Sequence, residues 1–123
     1  MISILNYGSG NITSFVNIFE SLNIKYKIIS KPKEIFNSSK ILFPGVGSFD
    51  FNMKKIISSN LSGPLNEMVL VKKIPILGIC LGMQIFLDKS EEGNLNGFGW
   101  IKGNVKKFNK ENFSEKIIIP HLG

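Results

Sequence analysis

The sequence predicts an α/β fold, a three-layer sandwich on a mostly parallel sheet. Three observations carry this expectation. Short apolar runs alternate along the chain with segments of helical spacing. Each run is nearly continuous in Ile, Leu, Val and Phe, the pattern of a strand covered on both faces. Glycine, proline and asparagine punctuate the junctions between runs and helices.

Taken in order, Ile2 to Asn6 is a short apolar run that predicts a buried strand, broken by Tyr7-Gly8-Ser9-Gly10. Asn11 is a suitable cap for the helix that follows. Ile12, Phe15, Val16, Phe19 and Leu22 fall on one face of that helix. Lys25 to Ser30 predicts a second strand, ended by Lys31-Pro32. Lys40 to Phe43 predicts a third, stopped by Pro44-Gly45-Val46-Gly47. Helices are expected over Phe49 to Ser59 and from Pro64, in a first turn, to Lys73. Pro75 to Ile79 predicts the fourth strand, and Leu81 to Asp88 a helix. A glycine- and asparagine-rich loop runs from Gly93 to Gly99. Late strands are expected at Val105 to Phe108 and Lys116 to Ile119.

The composition narrows the function. At 123 residues, with 43% hydrophobic and 20% charged residues, the chain suits one domain or part of one and is unlike a disordered protein. The longest apolar stretch, Ile76 to Leu87, is too short to cross a bilayer. Met1 leads straight into Ile-Ser-Ile-Leu with no basic leader, so no membrane association is expected and the expected location is cytoplasmic. A single cysteine fits that reducing compartment and leaves a free thiol. The net charge is +6, yet every basic residue is lysine. A nucleic-acid reader normally uses arginine forks, so no nucleic-acid partner is expected.

The sharpest motif is Gly78-Ile79-Cys80-Leu81-Gly82, set between a predicted strand and a predicted helix. This is the spacing of a nucleophile elbow with sulfur as the nucleophile. The tight turn demands small residues two positions either side, which Gly78 and Gly82 supply. It places Cys80 at a helix N-terminus, where the dipole favours thiolate, and turns the Leu81 N–H toward a developing oxyanion. Pro44-Gly45-Val46-Gly47, at the end of another strand, is positioned to give a second donor. Gly8-Ser9-Gly10 lacks the lysine of a phosphate loop and predicts no nucleotide site.

Gly-Ile-Cys-Leu-Gly-Met-Gln, Gly78 to Gln84, resembles the nucleophile segment of class I glutamine amidotransferases, and Pro44 to Gly47 resembles their oxyanion strand. Tyr7-Gly8-Ser9-Gly10-Asn11, Gly99-Trp100-Ile101-Lys102-Gly103 and Pro120-His121-Leu122-Gly123 narrow the resemblance to the amidotransferase subunits of imidazole glycerol phosphate synthases. The resemblance implies Cys80 as catalytic nucleophile and the N–H groups of Val46 and Leu81 as oxyanion hole. It implies Gly45, Gly47, Gln84 and Glu92 as substrate-binding residues, with neither cofactor nor metal. The expected partners are L-glutamine and a cyclase subunit, in a heterodimer that passes ammonia to imidazole formation in histidine biosynthesis.

A cysteine of this kind needs a base, normally a histidine. The one histidine, His121, matches a different position of the family, whose catalytic His and Glu lie in a later segment. The apolar Ile117-Ile118-Ile119 has little after it to cover it. The sequence thus predicts a C-terminally truncated domain, inactive alone. Two alternatives stay open: an amidotransferase for amidinated surface sugars, and a non-catalytic interaction module.

Overall fold

The computed structural model of the chain describes residues 1–109. The strand expected at Lys116 to Ile119 and the turn carrying His121 lie outside these residues. Strands β1 (Ile2–Leu5), β2 (Tyr26–Ile29), β3 (Ile41–Phe43) and β4 (Ile76–Gly78) form one sheet in the order β2-β1-β3-β4, with every pairing parallel. Helices α1 (Ile12–Ser21), α2 (Pro32–Phe36), α3 (Phe49–Ser58) and α4 (Ser62–Asn66) supply the crossovers, and α5 (Leu81–Gln84) follows β4. All of the strands expected before Leu81 are present, each trimmed by a residue or two at its ends.

The helix starts follow local chemistry. The Asn11 side chain accepts from Ser14 N at the start of α1, and Ser48 Oγ accepts from Phe51 N at the start of α3. Helix α2 is not predicted by the sequence, because Lys31-Pro32 reads as a stop. Proline is equally at home in a first turn, and the Glu34 carboxylate accepts from the N–H groups of Ser30 and Lys31 at 2.7 and 2.9 Å. The helix expected from Pro64 starts at Ser62 and widens into a π-helical segment over Glu67–Val71.

The helix expected over Leu81 to Asp88 ends at Gln84. Its next carbonyls are taken by a distant loop: Phe98 N donates to Ile85 O, Ile101 N to Phe86 O and Gly99 N to Leu87 O. Asp88 in turn accepts from Gly103 N at 3.0 Å. Residues 89–90 and 104–105 then form a small parallel pair, β5 (Lys89–Ser90) and β6 (Asn104–Val105). The last strand expected within the described residues, Val105 to Phe108, is therefore shorter and begins one residue earlier.

The two faces of the sheet differ. Leu5, Ile29, Ile41 and Phe43 point to one face and pack with Phe49, Met53 and Ile56 of α3, Leu65 of α4 and Leu81 of α5. Phe98 stacks on Trp100 there, with ring centroids 4.1 Å apart. On the other face α1 lies over the sheet with none of its own residues fully buried, although Ile4 of that face is. An apolar groove of about 420 Å³, lined by Phe15, Ile18, Phe19, Leu42, Ile76 and Leu77 among others, opens between α1 and β4. The expected cover on both faces is thus complete on one face only among the described residues. No helix there is long and apolar enough to cross a membrane.

Candidate active site

In a parallel sheet the loops leaving the carboxyl ends of adjacent strands converge. Here three such loops belong to neighbours β1, β3 and β4. They carry Tyr7 to Gly10, Pro44 to Gly47, and Ile79-Cys80. The elbow is bound to its neighbour by the hydrogen bond from Ile79 N to Phe43 O, 3.0 Å.

Cys80 is the point of the turn. Its backbone has φ 54° and ψ −120°, a conformation that strongly favours glycine, and its side chain is exposed. The flanking glycines are required by contact. A Cβ on Gly78 would lie 2.6 Å from Met83 Cα, and one on Gly82 would run into the Phe43 carbonyl oxygen. A Cβ on Gly45 would sit 2.7 Å from Gly82 N and 2.9 Å from the Tyr7 hydroxyl oxygen. Gly45 is therefore where the loop after β3 presses on the elbow. Gly47 has open space around it, and its need is conformational, with φ +82°.

The two expected oxyanion donors differ. Among the described residues the Leu81 N–H meets no hydrogen-bond acceptor. The Val46 N–H, by contrast, donates to Ser9 Oγ at 3.2 Å, and Ser9 Oγ donates back to Val46 O at 3.1 Å. The helix behind the thiol is one turn long, so the dipole acting on it is smaller than the expected eight-residue helix would give.

Gln84 and Glu92 are brought together. They share the lining of a cavity of about 630 Å³ with Ser90, Glu91, Val105 and Lys106. Cys80 and the 45–47 loop are not part of that lining. Glu92 also braces the fold, since its Oε1 accepts from Phe49 N, the first N–H of α3, at 3.0 Å. The tie is reciprocal, because Asp50 of α3 accepts from the N–H groups of Asn94 and Leu95. These bonds hold the Asp50 carboxyl below its usual range.

Sequence reasoning missed Tyr7, Ser9 and Asn52. The Tyr7 hydroxyl lies 2.8 Å from Pro44 O and 2.7 Å from Asn52 Oδ1, and its one proton serves both. Burial pushes the Tyr7 phenol up to about 12, against an opposing hydrogen bond from Ser9, so it stays a donor across the physiological range. Asn52 is fully buried, and its Nδ2 donates to Val46 O and Ser48 O, each at 2.8 Å. One signal was available. Phe49, Asn52, Met53 and Ile56 share one helix face, so an amide stands on an apolar stripe, where it needs partners.

A strained cysteine at the turn between a parallel strand and a helix, backed by a glycine-rich loop from the neighbouring strand, has the arrangement of a nucleophile elbow. The family profile for glutamine amidotransferase class-I matches residues 3–118, and the chain belongs to that family. Within it, the chain is similar to the imidazole glycerol phosphate synthase subunit HisH of Leptospira borgpetersenii, 46% identical over all 123 residues, which span 60% of that relative. The HisH of Bdellovibrio bacteriovorus is 40% identical over the same length, again 60% of the relative. A solved structure of a glutamine amidotransferase superposes with a TM-score of 0.71 at 15% identity, covering 94% of this chain and 59% of that one. That last likeness shows the fold. The chain spans about 60% of the length of the curated relatives it matches.

Proposed function

We propose that this chain carries the nucleophile half of a glutaminase site that serves a synthase in histidine biosynthesis. The observation that carries the proposal is the exposed Cys80 at φ 54°, with the Leu81 N–H beside it unengaged among the described residues. The Cys80 thiolate attacks the side-chain amide carbon of glutamine, and the oxyanion accepts from Leu81 N–H. Val46 N–H becomes the second donor when it leaves Ser9 Oγ. The C–N bond breaks, ammonia departs with a proton, and water hydrolyses the glutamyl thioester to glutamate and free thiol. Gln84 and Glu92, which line one cavity, hold the amino-acid end of the substrate, and Gly45 and Gly47 shape the loop that presses on the elbow.

The described residues contain no histidine, so the general acid and base come from outside them. The curated relatives' naming as synthase subunits supports a cyclase partner that receives the ammonia in a heterodimer. The test is labelling by a glutamine-shaped chloroketone followed by peptide mapping. The label should fall on Cys80 alone and vanish in Cys80→Ser, because serine is a far poorer nucleophile without a strong base. Label on the Cys80→Ser chain would end the assignment.

A further inference from the structure

We infer that Asn52 is a positioning residue, which sets the orientation of the Gly45–Val46 peptide and so of the Val46 N–H; this rests on Cys80 being the nucleophile toward glutamine. Asn52 is not needed to start its own helix, since Ser48 Oγ already caps Phe51 N. Its site, between Phe49, Met53 and Ile56, would suit an apolar side chain. A buried amide is tolerated there because both of its N–H groups and its oxygen have partners, and each of those side-chain partners belongs to Tyr7 or to residues 46–48.

The geometry tells what this accomplishes. Val46 O receives Asn52 Nδ2 at 2.8 Å and Ser9 Oγ at 3.1 Å. Pro44 O receives the Tyr7 hydroxyl at 2.8 Å, and Tyr7 is itself tied to Asn52 Oδ1. Pro44 O and Val46 O are the carbonyls on either side of the Gly45–Val46 peptide. That peptide is planar, so fixing its two neighbours limits its rotation and thereby aims the Val46 N–H. When an oxyanion draws this N–H away from Ser9, Asn52 and Tyr7 keep the rest of the loop in place. Preorganisation of this kind lowers the reorganisation needed as charge develops.

The experiment compares two reagents on the whole chain. A glutamine-shaped chloroketone takes the thiolate at its carbonyl carbon, whose oxygen becomes an oxyanion, before sulfur displaces chloride from the adjacent carbon and the carbonyl re-forms. Iodoacetamide alkylates the same thiol by direct displacement of iodide with no oxyanion formed. Asn52→Leu should slow the chloroketone's maximal labelling rate by about 10- to 100-fold, the range for residues that orient a site's direct contacts. Its half-saturating concentration and the iodoacetamide rate should stay near native values. Should the leucine variant not fold, Tyr7→Phe carries the test. It keeps the ring against Phe43, at 5.3 Å between centroids, and should show the same split at several-fold size. Equal changes with both reagents would overturn the inference and leave a purely structural role. A native chain that gives the chloroketone no advantage over iodoacetamide would overturn the glutamine assignment itself, and this inference with it.

Discussion

The two sides of the candidate oxyanion site are built by different means. The elbow, Gly78 to Gly82, is held by backbone contact. Its glycines have no room for a Cβ, its turn is fixed by a positive φ at Cys80, and its N–H at Leu81 meets no acceptor among the described residues. The loop Pro44 to Gly47 is held by side chains. Tyr7, Ser9 and Asn52 grip its carbonyls, and its donor at Val46 is already engaged. Sterics make the first side single-valued, because no low-energy alternative exists for colliding backbone atoms. Hydrogen bonds make the second adjustable, because each is worth only about 1 kcal/mol net and can be exchanged for another.

Breaking the elbow should therefore cost most. Gly82→Val places a branched side chain against the Phe43 carbonyl, where no rotamer change can relieve the clash. A destabilisation of about 3 kcal/mol is expected, lowering the melting temperature by about 12 °C or more. Selective labelling of Cys80 should be lost with it. A thermal melt and the labelling rate check both, and native behaviour would refute the elbow.

Perturbing the loop should cost less and act in the opposite sense on reactivity. Ser9→Ala removes the acceptor that occupies the Val46 N–H. Stability should fall by about 1 kcal/mol or less. Chloroketone labelling should rise by about two- to fivefold, because about 0.5–1 kcal/mol of competition with the oxyanion disappears. A fall in the labelling rate would mean that Ser9 supports the productive loop geometry and does not compete with it.

Acid should separate the two sides by the smallest margin. The loop leads into α3, whose first turn is tied to Asn94 and Leu95 through the Asp50 carboxylate, whereas the elbow glycines are fixed by contact with backbone atoms. The folded-state pKa of Asp50 lies below its usual 3.8, so the sign follows directly. The tie contributes fully above about pH 4 and is lost as pH falls through the lower folded value. The protection of the Asn94 and Leu95 amides, relative to their intrinsic exchange rates, should therefore fall on acidification before that of Gly82 does. Asp50→Asn should remove most of that pH dependence.

The same division explains how much could be read in advance. The Gly-x-Cys-x-Gly spacing announces the elbow because backbone crowding leaves a glycine signature, and the β1–β4 runs announce the sheet because parallel strands are apolar throughout. The grip of Tyr7 and Asn52 on Pro44 and Val46 was not legible. Those partners are 37, 45 and 6 positions apart, and local spacing does not report such pairings. Helix α5 was overextended for a related reason. Ile85 to Asp88 have helical spacing, but carbonyls 85–87 are claimed by residues 98–101, which only the folded chain brings near. Glu92 was expected only as a substrate contact, and its role as the acceptor for the Phe49 N–H, which again joins distant segments, was not legible.

The backbone at Cys80 also bears on how such a sequence can change over time. Glycine would hold φ 54° and ψ −120° freely, whereas a residue with a Cβ carries about 1–3 kcal/mol of strain there. The fold on its own thus favours losing the thiol. A chain relieved of selection for chemistry would drift toward glycine at this position and become more stable as it did so. A cysteine on a backbone that disfavours it is what selection for a reactive sulfur, as opposed to selection for stability, would leave behind.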